Sequence, residues 1–119
     1  MIDSHELEQL LPNSHERCIL VKKCRPIRIE AIVRGYISGS AYKQYLESGM
    51  IGELDIKENM QLNDKFDSPI FTPSTKAAVG YKDQNISLPE MYEIIGRDVA
   101  EYIKNKSFEL YNYAHENAL

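Results

Sequence analysis

The sequence predicts an α+β fold, a mixed sheet packed by helices. Three observations carry that expectation. Apolar runs of strand type cover 17–23 and 27–37, a short helical stretch at 40–49 ends in glycine, and apolar residues recur at helical spacing from Ser87 onward. The chain has 119 residues, enough for one small domain and too few for two. Apolar residues make up 43 % and charged residues 27 %, as in ordinary globular chains. A domain of this length buries roughly two thirds of its unfolded surface, so its stability margin is thin.

The elements follow in order. SHELEQLL (4–11) is expected to be a short helix with Ser4 as N-cap, ended by Pro12 and Asn13. RCILVKK (17–23) and IRIEAIVRGYI (27–37) read as two strands. In the second, Ile27, Ile29, Ala31 and Val33 share one face, and Arg28, Glu30, Ile32 and Arg34 share the other. Glu30 and Arg34 would then stand about 13 Å apart on one side, which ordinarily marks a solvated face. Gly35 to Gly39 ends this strand, and Ser38, Gly39 and Ser40 lead into the helix SAYKQYLESG, closed by Gly49. A helix N-terminus with unpaired N–H groups suits phosphate, and Arg34 adds a fork of donors. A plain small-residue turn accounts for the same pattern, so both readings stand on local chemistry.

Residues 50–68 read as irregular and polar, with a short strand at IGELDI. PIFTPSTK (69–76) reads as a rigid loop stiffened by Pro69 and Pro73. Its alternative is a loop that meets a carboxylate or phosphate, with Thr72, Ser74 and Thr75 supplying hydroxyls and Lys76 as the cation. AAVGYKDQNIS, with Gly80, reads as a mobile flap. Ser87 and Glu90 form a capping box, with Pro89 in the first turn. The helix they open carries apolar residues at 91, 95, 99, 102 and 103, and is expected to run through Lys104. Phe108, Tyr111 and Ala114 continue the stripe towards the end. Tyr102, Tyr111 and Tyr113 read as packing groups, and His115 has no metal-spaced partner.

Charge and cysteines narrow the function classes. A net charge of −4 argues against a general nucleic-acid binder, although Arg17, Lys22, Lys23, Arg25, Arg28 and Arg34 bias 17–34 positively. Cys18 and Cys24 stand six residues apart without CxxC spacing or clustered histidines, so no zinc site is expected. The start has no signal-peptide pattern, and no apolar run approaches the roughly 20 residues of a membrane span. The expectation is a cytoplasmic chain with reduced thiols and no membrane partner.

VKKCRPIRIEAIVRGYISGSAYKQYLESG, followed by PIFTPSTKAAVG and NIS before a long helix, resembles the central part of the phosphoribosylaminoimidazole-succinocarboxamide synthase (SAICAR synthetase) family. The resemblance runs from about Arg17 to the end of the chain. It rests on an acidic strand residue, IVRG and a turn ending in GS, spaced in order from PIFTPSTK. It implies part of a two-lobed α+β architecture. It also implies an ATP-dependent ligase of purine synthesis, using Mg2+, that joins aspartate to the carboxylate of carboxyaminoimidazole ribonucleotide. The family pattern puts Arg34 and Ser40 on the substrate's 5′-phosphate and Glu30 near the ribonucleotide. Gly35 and Gly39 supply the turn backbone, and Ser74, Thr75 and Lys76 match an active-site stretch.

Two departures stand out: Arg28 where the family often has proline, and Lys82-Asp83-Gln84-Asn85 where it commonly has His-Asp-Glu-Asn. The family's glycine-rich ATP-binding lobe and its Asp-x-Lys-x-Glu-Phe-Gly segment have no counterpart in 1–119, so the ligands for ATP and Mg2+ are expected mainly outside it. The alternatives are a non-catalytic piece that binds a phosphorylated ribonucleotide, or one that self-associates through exposed core faces.

Overall fold

The structure is a computed structural model and describes residues 5, 6, 9, 19, 21–78 and 80–118. Of the helix expected over 4–11, His5, Glu6 and Gln9 are helical; its other positions lie outside the described residues, as do Arg17 and Cys18. The strand expected over 17–23 does not form at its described positions. Ile19 and Val21 are 86 % and 69 % exposed, and residues 21–27 have no regular structure. Strand propensity is expressed only against a partner, and among the described residues none pairs with this run.

The stretch 27–37 forms strand in two pieces that join different ladders. The first, β1 (Ile29–Glu30), pairs antiparallel with Ser74–Thr75, so that Glu30 faces Ser74 and Ile29 faces Thr75. The second, β2 (Val33–Tyr36), pairs antiparallel with Lys65–Phe71, with Val33 opposite Phe71 and Arg34 opposite Ile70. The expected loop 69–76 is therefore mostly strand. Its backbone is tied to residues about 40 positions earlier: the Thr72 N–H donates to Ile32 O (2.9 Å) and the Lys76 N–H to Arg28 O (3.1 Å). Pro69 is tolerated because the register slips there. Arg34 faces Ile70 but Tyr36 faces Lys65, so residues 66–69 bulge opposite Gly35, where the proline's missing N–H breaks no ladder bond.

Between these strands lies α1 (Gly39–Ser48), close to the expected helix. Gly39 has φ 57°, a left-handed turn that favours glycine, and the Gly49 N–H closes the helix on Tyr45 O at 2.7 Å. A hairpin of β3 (Met50–Ile51) and β4 (Leu54–Asp55) replaces the short strand expected at IGELDI. The strands already described at Lys65–Phe71 and Ser74–Thr75 are β5 and β6.

Ile37, Ala41, Ile51, Met60 and Phe66 form the buried cluster, with Tyr42, Tyr45, Ile56 and Ile70 against it. Met60 and Phe66 come from the stretch expected to be irregular and polar, and Ile51 from the short strand expected within it. They are too far apart in sequence to show a period, yet each drops into the same core. The Tyr45 hydroxyl holds the connecting loop, donating to Lys57 O (3.1 Å) and accepting from the Met60 N–H (3.0 Å).

The expected flap is tied down at its base. The Ala77 N–H donates to Asp83 Oδ1 (2.6 Å), the Gln84 N–H to Thr75 Oγ1 (3.1 Å), and the Ile86 N–H to Pro73 O (3.0 Å). The capping box then opens α2 (Leu88–Ile95): the Ser87 N–H donates to Glu90 Oε2 (2.7 Å) and the Glu90 N–H to Ser87 Oγ (3.2 Å). The helix does not run on unbroken as its apolar period suggests. Gly96, at φ 83° and ψ 147°, separates it from α3 (Arg97–Ala118). Met91 and Ala100 are fully buried on the two helices. Near the corner the Tyr92 hydroxyl donates to Glu101, Lys104 Nζ lies 2.9 Å from Glu101 Oε2, and Arg97 sits 5.6 Å over the Tyr92 ring. Tyr102 and Tyr113, expected to pack, are instead 65 % and 69 % exposed.

Candidate functional site

Arg34 leaves β2 one residue before the bulge, and its half-buried guanidinium is held at two points. Nε donates to Thr72 Oγ1 at 3.0 Å, and Nη2 donates to Ser40 Oγ at 3.4 Å. Thr72 is brought there by the β2–β5 pairing, and Ser40 by the turn through Gly39 that starts α1. The first turn of α1 carries no acidic side chain, so nothing there offsets the positive end of the helix dipole. Burial lowers the pKa of Arg34, and the negative charge of Glu30 opposes that shift. An arginine stays protonated under either influence. The two carriers of charge that a continuous strand would hold about 13 Å apart are thus electrostatically coupled, across a chain that changes ladders between them.

Glu30 belongs to the neighbouring ladder. Ser74, directly opposite and 3 % exposed, donates from Oγ to Glu30 Oε2 at 3.1 Å. Lys76 Nζ lies 3.9 Å from Glu30 Oε1, with the two side chains 60 % and 44 % exposed. A pair so open to solvent contributes little to stability, but it sets a cation beside the carboxylate. Thr75 turns away, its hydroxyl accepting from the Gln84 N–H. Of the three residues expected together, Ser74 and Lys76 therefore meet Glu30 and Thr75 closes the following loop.

Arg34 also lines a cleft of about 330 Å³ between α1, the β3–β4 hairpin, β5 and α3. Ile70, Phe71, Ile86 and Phe108 form apolar walls, and Gln44 and Asn85 add amides. Asn85 Nδ2 donates to Gln44 Oε1 at 3.5 Å, and the Gly52 N–H donates to the same oxygen at 3.2 Å. Gln44 and Asn85 were not among the candidates drawn from sequence, and Thr72 was read only as a hydroxyl of the 69–76 loop, not as a partner of Arg34. Thr72 sits 38 residues from the guanidinium it holds, and no local pattern reports a contact at that separation. Among the described residues no three His, Cys, Asp or Glu side chains stand where a metal ion could be held, and no helix is long and apolar enough to cross a membrane. Cys24 is an exposed thiol.

The SAICAR synthetase family model matches residues 1–119. A phosphoribosylaminoimidazole-succinocarboxamide synthase from Komagataella pastoris is 49 % identical over 104 residues, covering 87 % of this chain and 34 % of its own length. The enzyme of that name from Desulfotalea psychrophila is 50 % identical over 102 residues, covering 86 % of this chain and 34 % of its own length. Among solved structures, a SAICAR synthase from Saccharomyces cerevisiae complexed with SAICAR superposes with a TM-score of 0.64 at 37 % identity. That match covers 72 % of this chain and 27 % of the yeast protein. The chain spans about a third of the length of the curated relatives it matches. By its sequence and its mixed helix-and-sheet fold, the chain belongs to the SAICAR synthetase family.

Proposed function

We propose that this chain supplies the phosphate-holding side of a ribonucleotide site in an ATP-dependent carboxylate–amine ligase. The ligase joins aspartate to the carboxylate of carboxyaminoimidazole ribonucleotide in purine synthesis. The observation that carries this reading is Arg34, fixed by Thr72 and Ser40 at the start of α1 and half-buried in the wall of the cleft. A guanidinium has five N–H donors, and a fork already oriented by neutral hydroxyls suits a phosphate better than a freely rotating one. Arg34 and Ser40 would hold the 5′-phosphate, with Gly35 and Gly39 shaping the backbone. Glu30 would stand near the ribonucleotide, flanked by Ser74 and Lys76.

ATP and Mg2+ belong to the proposed reaction. The ligands of both are assigned mainly to segments of a full-length synthetase outside this stretch. In the domain reading, 1–119 is then a central segment whose part in the reaction is to bind and orient one substrate.

Titration calorimetry of the chain with ribose 5-phosphate tests this. Binding is expected without ATP. Arg34→Ala is expected to weaken it by at least about tenfold, because a hydrogen bond to a charged group contributes about 1.5–3 kcal/mol. The circular dichroism of the variant should stay unchanged. An unaltered dissociation constant would remove Arg34 from the phosphate site.

A further inference from the structure

Gly35 is buried and has no positive φ, so its backbone conformation does not call for glycine. Space does. A Cβ placed on Gly35 would overlap the hydroxyl of Tyr111 and stand 2.9 Å from its Cζ. The hydroxyl end of Tyr111 therefore rests on the bare backbone of Gly35, directly after Arg34. The Tyr111 ring is steadied from behind by His115, whose ring stacks on it at 5.9 Å and 10°. One helical turn earlier, Phe108 packs on Phe71 at 6.2 Å, and Phe71 directly precedes Thr72. Helix α3 thus grips both sides of one hydrogen bond, the residue after its donor Arg34 and the residue before its acceptor Thr72.

We propose that Tyr111 is a positioning residue for Arg34, acting through Gly35, and that α3 thereby sets the direction of the guanidinium towards an anionic ligand. The proposal deepens the phosphate reading and rests on it. The bulge has four β5 residues opposite one glycine, so the ladder becomes irregular directly after Arg34. The hydroxyl end of Tyr111, seated on that point, adds a constraint there. Geometry of this kind matters because displacing a binding group by about 1 Å can cost on the order of a hundredfold in rate.

The test uses the 119-residue chain, ribose 5-phosphate as probe, and the NMR signal of the Arg34 Nε–H, which reports the bond to Thr72 without any ligand. Tyr111→Ala is expected to shift that signal and to weaken binding about tenfold. Tyr111→Phe, which keeps the ring but removes the hydroxyl nearest Gly35, should bind with an affinity between those of the parent and Tyr111→Ala. Gly35→Ala should weaken binding as Tyr111→Ala does, and the double variant should be no weaker than the weaker single, since both break one contact. If Tyr111→Ala fails to fold, Tyr111→Leu replaces it, removing the ring while keeping apolar bulk. Should the parent not bind ribose 5-phosphate, the phosphate reading fails, and the Nε–H signal still decides the positioning. An unmoved Nε–H signal in the folded Tyr111→Ala or Tyr111→Leu chain, or effects of the singles that multiply in the double, would overturn it.

Discussion

Arg34 shows how a short motif can be legible in type and hidden in arrangement. Its neighbours Gly35, Gly39 and Ser40 are local, and their turn chemistry already suggests an anion site. Its hydrogen bond to Thr72 depends on a strand pairing that spans 38 residues. Ser74 makes the same point for Glu30. It is nearly fully buried, and its hydroxyl donates to a carboxylate 44 residues earlier. Ser74→Ala removes a donor from a charged acceptor that keeps partial access to water, so a loss of about 1 kcal/mol is expected. Urea denaturation of the purified variant measures it, and an unchanged midpoint would show that water replaces the hydroxyl at no cost.

Among the elements, α2 and the α2–α3 corner are the clearest case of sequence-coded electrostatics. Glu90 is held below the ordinary carboxylate range first by the Ser87 backbone N–H and then by the Ser87 hydroxyl. Glu101 is lowered first by the Tyr92 hydroxyl and then by Lys104. The Glu101 bond in turn raises the pKa of Tyr92 and keeps it a donor. A carboxylate whose folded pKa is depressed contributes stability that is fully present above its unfolded value, about 4.3. That contribution is lost as pH falls through the lower folded value. The urea midpoint should therefore fall as pH is taken from about 5 to about 3. Glu90→Gln should make this decline shallower, because the variant has no proton to take up at that position. Parallel slopes for parent and variant would show that the capping box contributes nothing to the pH dependence.

The whole molecule presents more apolar surface than its small core absorbs. Val99, Tyr102, Leu110 and Tyr113 are 42 %, 65 %, 69 % and 69 % exposed and recur at helical spacing along α3. They occupy a different face from Ala100, Phe108 and Tyr111, which turn towards the rest of the chain. An apolar stripe on a 22-residue helix, interrupted by the Lys106–Glu109 pair, is expected to drive self-association of the isolated chain. Sedimentation velocity over a concentration series should show a growing dimer or larger species. The pair Tyr102→Glu and Leu110→Glu should restore the monomer with unchanged helicity. A parent chain that stays monomeric at high concentration would show that the stripe is not adhesive.

What could be read from the residues in order was what depends on near neighbours. The α+β class, α1 with its Gly49 stop, the capping box at Ser87 and the turn at Gly39 all follow from bonds within about four residues. The IVRG and PIFTPSTK motifs likewise identified the family, because motif spacing is itself a property of order. What waited for the folded chain was everything set by pairing at a distance. The chain changes ladders between Glu30 and Arg34, PIFTPSTK becomes strand, Met60 and Phe66 enter the core, and Tyr111 fills the space that Gly35 leaves. Each depends on which two distant segments meet, and the free energy of that meeting comes from surfaces that no local window contains.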